Sequence, residues 1–327
     1  MIDPGVVLIA IGGNALVHEG ESGLLCRQQE RSAAFARQVV DLVEAGWRVL
    51  VTHGNGPQVG FILRRGELVA AEAVVEGLPE LPLWLAVADS QGGIGHLLCL
   101  AIDDALIAHD RPERAVAVLT HVEVDADDPA FGCPTKPIGG VLTADLARQR
   151  VAEEGWSVVE TAAGVFRRVV ASPVPTAILE SAQVRTLTHA GAVVIAAGGG
   201  GIPVVRENNQ WSAVDAVVDK DRSSALLAAE SGVDTMVLVT GVDEVFVDFR
   251  LPTQRALHDV SADEMRAHLA AGQFPAGSMG PKVESALRFL DGGGRRSIIT
   301  SLERLPDALA DKAGTHISGR TDPERAQ

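Results

Sequence analysis

Tyrosine is absent from this 327-residue sequence, and only four of its 28 basic residues are lysine: Lys136, Lys220, Lys282 and Lys312. The three cysteines, Cys26, Cys99 and Cys133, are odd in number and widely spaced. No metal-ligand spacing joins them, so reduced thiols in a cytoplasmic protein are expected rather than a disulfide framework. Apolar runs stay short of the ~18 residues of a membrane span, and Met1-Ile2-Asp3-Pro4 has no basic, signal-like character. Positive charge is in deficit: a net charge of -15 argues against nucleic acid or an acidic membrane as partner. Missing as well are Gly-x-Gly-x-x-Gly after the first strand and the Gly-x4-Gly-Lys-Ser/Thr loop, which removes the usual dinucleotide and P-loop readings. Ser90 and Ser278 lack the Gly-x-Ser-x-Gly elbow. His53 and His96 show no metal-ligand pairing, so structural or surface roles are expected for them.

What is present is a soluble globular composition, 46% hydrophobic and 22% charged, long enough for one large or two ordinary domains. Val6 to Ile11 is a continuous apolar run, as in a parallel strand covered on both faces, and it ends in Gly12-Gly13-Asn14. A helix is predicted from about Arg27 to Ala45, then a strand over Trp47 to Thr52 and a glycine loop from His53 to Gly60. Residues 84–108 read as helix and Val116 to Thr120 as a third strand. The period breaks between Asp125 and Pro175, where a Pro- and Gly-punctuated insertion is predicted to stand off the sheet as a lid. It resumes with a strand at Ala192 to Ala197, four glycines at 198–201, a strand at Met236 to Thr240, a helix near Ser261, a helix opened by Gly277 to Lys282, and a strand at Ser297 to Thr300. Strand, glycine loop and helix in alternation is α/β architecture with ligands at the carboxyl ends of the strands.

The scarce lysines carry the chemistry. In an arginine-biased chain, Lys136, Lys220 and Lys282 are read as places where a compact ammonium is wanted rather than a planar fork, and Lys312, on a polar helix end, as a chance survivor. Asp219-Lys220-Asp221 places an ammonium between two carboxylates at the start of a small-residue helix, where backbone N–H groups and the helix dipole favour anions. Lys136 lies in Pro134-Thr135-Lys136-Pro137, and Lys282 follows Gly280-Pro281. Glycine loops let backbone N–H groups approach phosphate oxygens, and phosphoryl transfer needs positioned positive charge rather than a covalent nucleophile. In an acidic chain that charge must come from a few local donors.

These segments together resemble carbamate kinase, a branch of the amino-acid kinase family. The resemblance is carried by Ile9 to Leu16, Val51 to Gly60, Ser90-Gln91-Gly92, Asp128 to Phe131, Pro134 to Gly139, Ala197 to Pro203, Val218 to Asp221, Gly277 to Glu284 and Ala313-Gly314-Thr315, in order along nearly the whole chain. It implies a three-layer αβα sandwich around a mostly parallel sheet: one domain over residues 1–318, a protruding lid at about 125–175, and a disordered tail at 319–327. The implied reaction is ATP + carbamate ⇌ ADP + carbamoyl phosphate with Mg2+, in a homodimer, and in many bacteria it runs toward ATP at the end of arginine deimination. Under the resemblance, Gly12, Gly13 and Asn14 hold the transferring phosphoryl group, and Gly54, Asn55 and Gly56 hold the carbamate. Lys220 stabilises the phosphoryl in flight, oriented by Asp219 or Asp221; Lys282 contacts the nucleotide phosphates and Lys136 reaches in from the lid. Adenine is expected near Gly241, Val242, Asp243 and Phe246, with Gly277, Ser278, Met279 and Gly280 beside the nucleotide. No protein metal ligands are expected.

The sequence departs from that pattern at three places. Ala163-Gly164-Val165-Phe166 lacks the family's arginine before Arg167-Arg168, Gly93-Ile94-Gly95-His96 replaces Met-Ile-Gly-Tyr, and Phe246 stands where a tyrosine is expected. These changes touch the lid and the acceptor's neighbourhood. They leave open a kinase of another small carboxylate or phosphonate, or a catalytically silent nucleotide-binding protein.

Overall fold

The computed structural model describes residues 4–12, 24–71, 81–275 and 277–319. Val6–Ile11 (β1) is buried along its whole length. Its alternating side chains feed two cores: Leu8 and Ala10 join Met236 and Leu238 on one face, and Val7, Ile9 and Ile11 join Phe35, Val39 and Leu98 on the other. That double burial is why the run is apolar at every position.

Seven further strands complete the sheet: Arg48–His53 (β2), Ala115–Ala117 (β3), Val193–Ile195 (β4), Thr235–Thr240 (β5), Asp259–Ser261 (β6), Arg296–Ser301 (β7) and Thr315–Ser318 (β8). Their order is β6-β8-β7-β5-β1-β2-β4-β3. The pairs from β7 through β3 are parallel, while β8 runs antiparallel to β7 and parallel to β6. Helices Leu25–Glu44 (α1), Gln58–Ala71 (α2), Leu83–Ala108 (α3), Ala144–Glu154 (α4), Ser181–His189 (α5), Lys220–Ser231 (α6), Ala262–Ala270 (α7), Met279–Asp291 (α8) and Leu305–Leu309 (α9) follow in chain order. α1, α3 and α9 cover one face of the sheet, and α5 to α8 cover the other. The fold is the expected αβα sandwich.

Several expectations shift. The third strand stops at Ala117, because the Thr120 N–H goes to Gln91 Oε1 at 2.7 Å and the His121 N–H to Glu180 Oε2 at 2.7 Å. Gln58 to Gly60, read as loop, already belong to α2. The short helices α5 and α9 had no clear periodic signal. A second, four-stranded sheet of Gln210–Ala213, Ile202–Glu207, His121–Val124 and Pro175–Ile178 was visible in sequence only as a hairpin-like piece. α3 is long and apolar enough to cross a membrane, with an 18-residue window of mean hydropathy 1.3, contrary to the reading of short apolar runs. Asp89-Ser90-Gln91-Gly92-Gly93 interrupts its apolar pattern in sequence, and its buried side chains, Ile94, Leu98, Ile102 and Leu106 among them, pack with α1 and the sheet.

Lys136–Leu142, Val165–Val170 and Ser157–Ala162 form a separate antiparallel sheet. With α4, whose N-terminus Thr143 caps and whose C-terminus Gly155 closes in the left-handed region, it makes a small subdomain. Trp156 lies between the guanidinium groups of Arg150 and Arg168, 5.2 and 4.2 Å from its ring. At the base, Ile138 and Val170 join Val59, Leu63, Leu83 and Val87 in a third apolar cluster. The contact is close: a Cβ at Gly60 would lie 2.9 Å from the Gly139 nitrogen and nearer still to its Cα.

Candidate active site

Three lysines from three separate segments meet at the N-terminus of α6. Asp219 is its N-cap, accepting from the Asp221 and Arg222 N–H groups, and leaves Lys220 and Asp221 in the first turn. Asp221, 4% exposed, is the hub. Lys282 Nζ, from the first turn of α8, donates to its Oδ2 at 2.9 Å, and Lys220 Nζ stands 2.8 Å from its Oδ1. The Lys220 contact is a charge contact without hydrogen-bond alignment, and Nζ has no aligned acceptor. On the other side, Lys136 Nζ reaches from the subdomain's first strand to Asp219 Oδ2 at 2.6 Å.

The electrostatics follow from burial. Burial opposes charge on Asp221, yet the Lys220 and Lys282 ammonium groups hold its carboxyl well below the usual carboxylate range. Asp219 is likewise held low against burial, chiefly by Lys136. Burial pushes Lys220 down; Asp221 resists and Lys282 adds to the fall. A buried ammonium without an aligned acceptor is under-compensated, and an incoming anion would relieve it.

The glycine loops converge on the same end of the sheet. Gly12 follows β1, and the Gly54 N–H donates to Ile11 O at 3.0 Å, tying the loop after β2 to the end of β1. The run 198–201 follows β4, with Gly199, Gly200 and Gly201 at positive φ. A Cβ on Gly200 would come 2.9 Å from the Val218 carbonyl carbon, and one on Gly199 would lie 2.6 Å from Asn55 Cγ, so only glycine lets this loop fit between the acceptor loop and α6. Asn55 Nδ2 donates to Ser90 Oγ at 3.1 Å, and Ser223 Oγ donates to Gly200 O at 2.7 Å.

Gly56, at the tip of its loop, is exposed. Of the expected phosphoryl-binding residues, Gly13 and Asn14 lie outside the described residues. Gly241, Val242 and Asp243 follow β5 at its carboxyl end, and Phe246 lies in a two-stranded ribbon, 6.4 Å ring to ring from Phe249. Gly277 and Ser278 are exposed, while Met279 and Gly280 open α8, the helix that delivers Lys282. The nucleotide-side residues are thus spread over the carboxyl edge of β5 and the α8 terminus, whereas the lysine–carboxylate set is in direct contact. Sequence reasoning did not place Gln91, or the 198–201 run itself, among the site residues. Polar Ser90 and Gln91 on the buried face of an apolar helix were the available signal.

Residues 5–301 match the amino acid kinase family. The chain belongs to that family. It is 45% identical over 315 residues to the carbamate kinase-like protein YahI of Escherichia coli, covering 95% of this chain and 98% of that protein. It is 39% identical to the carbamate kinase of Pyrococcus horikoshii over 96% of this chain and 99% of that one. Among solved structures, carbamate kinase from Giardia lamblia bound to AMP-PNP superposes with a TM-score of 0.88 at 38% identity, covering 96% and 98% of the two chains.

Proposed function

We propose that this chain is a carbamate kinase, catalysing ATP + carbamate ⇌ ADP + carbamoyl phosphate, and that it works in the direction of ATP. The observation that carries the reading is the convergence of Lys136, Lys220 and Lys282 on Asp219 and Asp221 at a helix N-terminus bordered by glycine loops. Its support comes from relatives carrying that name over nearly their whole length. In the ATP-forming direction the P–O bond to the carbamoyl oxygen breaks and a new one forms to the β-phosphate oxygen of ADP, with carbamate leaving as an anion. Carbamate is already charged, so the step needs no general base.

Lys220, held beside Asp221, neutralises the phosphoryl group in transit, and Lys282 does the same for the nucleotide phosphates. Gly12, Gly13 and Asn14 cradle the phosphoryl group, and Gly54, Asn55 and Gly56 the acceptor. Adenine lies toward Gly241, Val242, Asp243 and Phe246, beside Gly277 to Gly280. The subdomain at 125–175 acts as a lid whose Lys136 is parked on Asp219 until phosphate arrives. Among the described residues, no group of three His, Cys, Asp or Glu side chains is arranged to hold a metal. A Mg2+ ion would be carried on the nucleotide phosphates with water, its usual habit, beside the Asp219 and Asp221 carboxylates of the site. It would supply charge neutralisation there.

Assembly as a homodimer is part of the same proposal. β3 is a sheet edge, and Leu100, Ile107 and Leu119, on or beside the helix that flanks it, are 53%, 57% and 55% exposed. The deciding experiment is a coupled assay of ATP formed from ADP and carbamoyl phosphate. Activity no higher than that of Lys220→Ala would reject the reading, and an acceptor screen scored by ADP release would then find the true substrate.

A further inference from the structure

His53 ends β2 immediately before the acceptor loop and is 0% exposed. Its Nδ1–H donates to the Gly54 carbonyl at 3.0 Å, which fixes the tautomer and leaves Nε2 as a bare lone pair. That Nε2 is buried and, among the described residues, has no partner. The ring faces Gly198, where a Cβ would come 2.5 Å from Cε1 and nearer still to Nε2, and it lines a cavity of about 110 Å³ together with Gln91, Gly92, Leu119, Ala196 and Gly198. Gln91, the other polar side chain of that cavity, is committed: Oε1 accepts from the Thr120 N–H at 2.7 Å and Nε2 donates to Gly198 O at 3.0 Å. Burial and the nearby Lys220 charge push the His53 pKa down to about 4, so the imidazole is neutral across the physiological range.

A buried lone pair facing no donor has a cost unless a ligand supplies one. The ammonium groups of the site and the N–H groups of its glycine loops are donors suited to oxyanions. The acceptor loop Gly54 to Gly56 follows His53 directly, and the 198–201 run packs against both, Gly198 on the His53 ring and Gly199 on Asn55. We infer that His53 is a specificity residue for the acceptor, its Nε2 accepting a hydrogen bond from the amino group of carbamate and so distinguishing carbamate from a carboxylate that ends in methyl. The inference rests on the reaction proposed above.

Carbamoyl phosphate and acetyl phosphate are near-isosteric phosphoryl donors that differ in NH2 against CH3. The test compares their kcat/KM with ADP in the wild type and in His53→Asn, whose amide can still donate to Gly54 but carries no acceptor at Nε2. The preference for carbamoyl phosphate should fall by about tenfold, the value of one ordinary hydrogen bond. Equal losses with both donors, or no loss, would overturn the inference and leave His53 a structural residue. If His53→Asn does not fold, 15N-histidine NMR of the wild type decides. The Nε2 resonance should move with carbamoyl phosphate and not with acetyl phosphate, and identical responses would refute the idea. A folded wild type inert toward carbamoyl phosphate would strike down the reaction assignment and this inference together; an active wild type with unchanged selectivity in the variant strikes down the inference alone.

Discussion

Replacing Asp221 by asparagine tests the electrostatic argument at its centre. The five charged groups in contact, Lys136, Lys220, Lys282, Asp219 and Asp221, sum to +1, and the substitution raises this to +2 while keeping the side chain's shape. Removing one partner of a buried ion pair costs about 3–5 kcal/mol. The lysine side chains keep 13% and 17% exposure and can turn partly toward water, so a loss of about 2–3 kcal/mol is expected after that discount. Lys220 loses the contact that held its pKa up against burial and Lys282, so its pKa falls further. The alkaline limb of the rate profile should therefore move to lower pH, and kcat should drop by about 10²-fold, as for loss of one transition-state donor.

Nucleotide binding should respond in the opposite sense. Without Asp221 the two ammonium groups have no internal anion, and ADP phosphates fill that role, so ADP should stabilise the variant more than it stabilises the wild type. Urea unfolding with and without saturating ADP, together with the coupled assay across pH, reads all three effects. A variant as stable as the wild type, or one in which ADP confers less stabilisation than in the wild type, would refute the reasoning.

Lys282→Ala should lower kcat roughly 10²–10³-fold while leaving the fold intact, read by the same coupled assay with circular dichroism as control. Gly60→Ala gains helix propensity of up to about 1 kcal/mol but drives a Cβ into Gly139, and overpacking of about 1–3 kcal/mol should dominate. Displacing the strand that starts at Lys136, it should slow turnover more than it weakens ADP binding, which stopped-flow and calorimetry can separate. Burial holds His53 at about 4 against an unfolded value near 6.5, so the unfolded state binds more protons between those limits. Stability should therefore be complete above pH 6.5 and fall by about 3 kcal/mol as pH drops to 4, a slope that His53→Asn flattens in urea titrations. Ile107→Glu should shift the protein to monomer by light scattering, and an unchanged mass would remove that face as the interface.

Much of the fold was legible because its signals are local. β1 is apolar at every position since both faces are covered, and the lysines stand out because the chain is otherwise arginine-biased. The capping geometry of Asp219 follows from an Asp directly before a small-residue helix. What sequence could not show is which carboxylate serves which lysine. Asp219 and Asp221 are equivalent on paper, but the N-cap turns Asp219 outward to Lys136 while the first turn of α6 aims Asp221 inward to Lys220 and Lys282. The four-stranded sheet was hidden for a similar reason. Its strands pair across long separations, His121 with Ile202 and Val122 with Ile178, so no window of sequence contains the pattern. As a lone histidine, His53 carries no spacing signal; only the unsatisfied Nε2 and the glycine against it set it apart.

The choice of lysine over arginine at these three positions follows from the same packing. Arg is charged at any accessible pH and presents five donors in a fixed plane, more than the crowded end of α6 can satisfy. An ammonium can sit on a carboxylate in the resting protein and swing its donors to phosphate oxygens with no change of backbone. Lys220 Nζ stands 2.8 Å from Asp221 Oδ1 without hydrogen-bond alignment, whereas Lys282 makes an aligned 2.9 Å bond to Oδ2. In the proposed reaction, Lys220, lacking an aligned acceptor, is the ammonium that turns to the phosphoryl group, and Lys282 is the one that meets the nucleotide phosphates. In a chain of net charge -15, that proposed division would put local positive charge where the reaction develops negative charge and where the nucleotide binds.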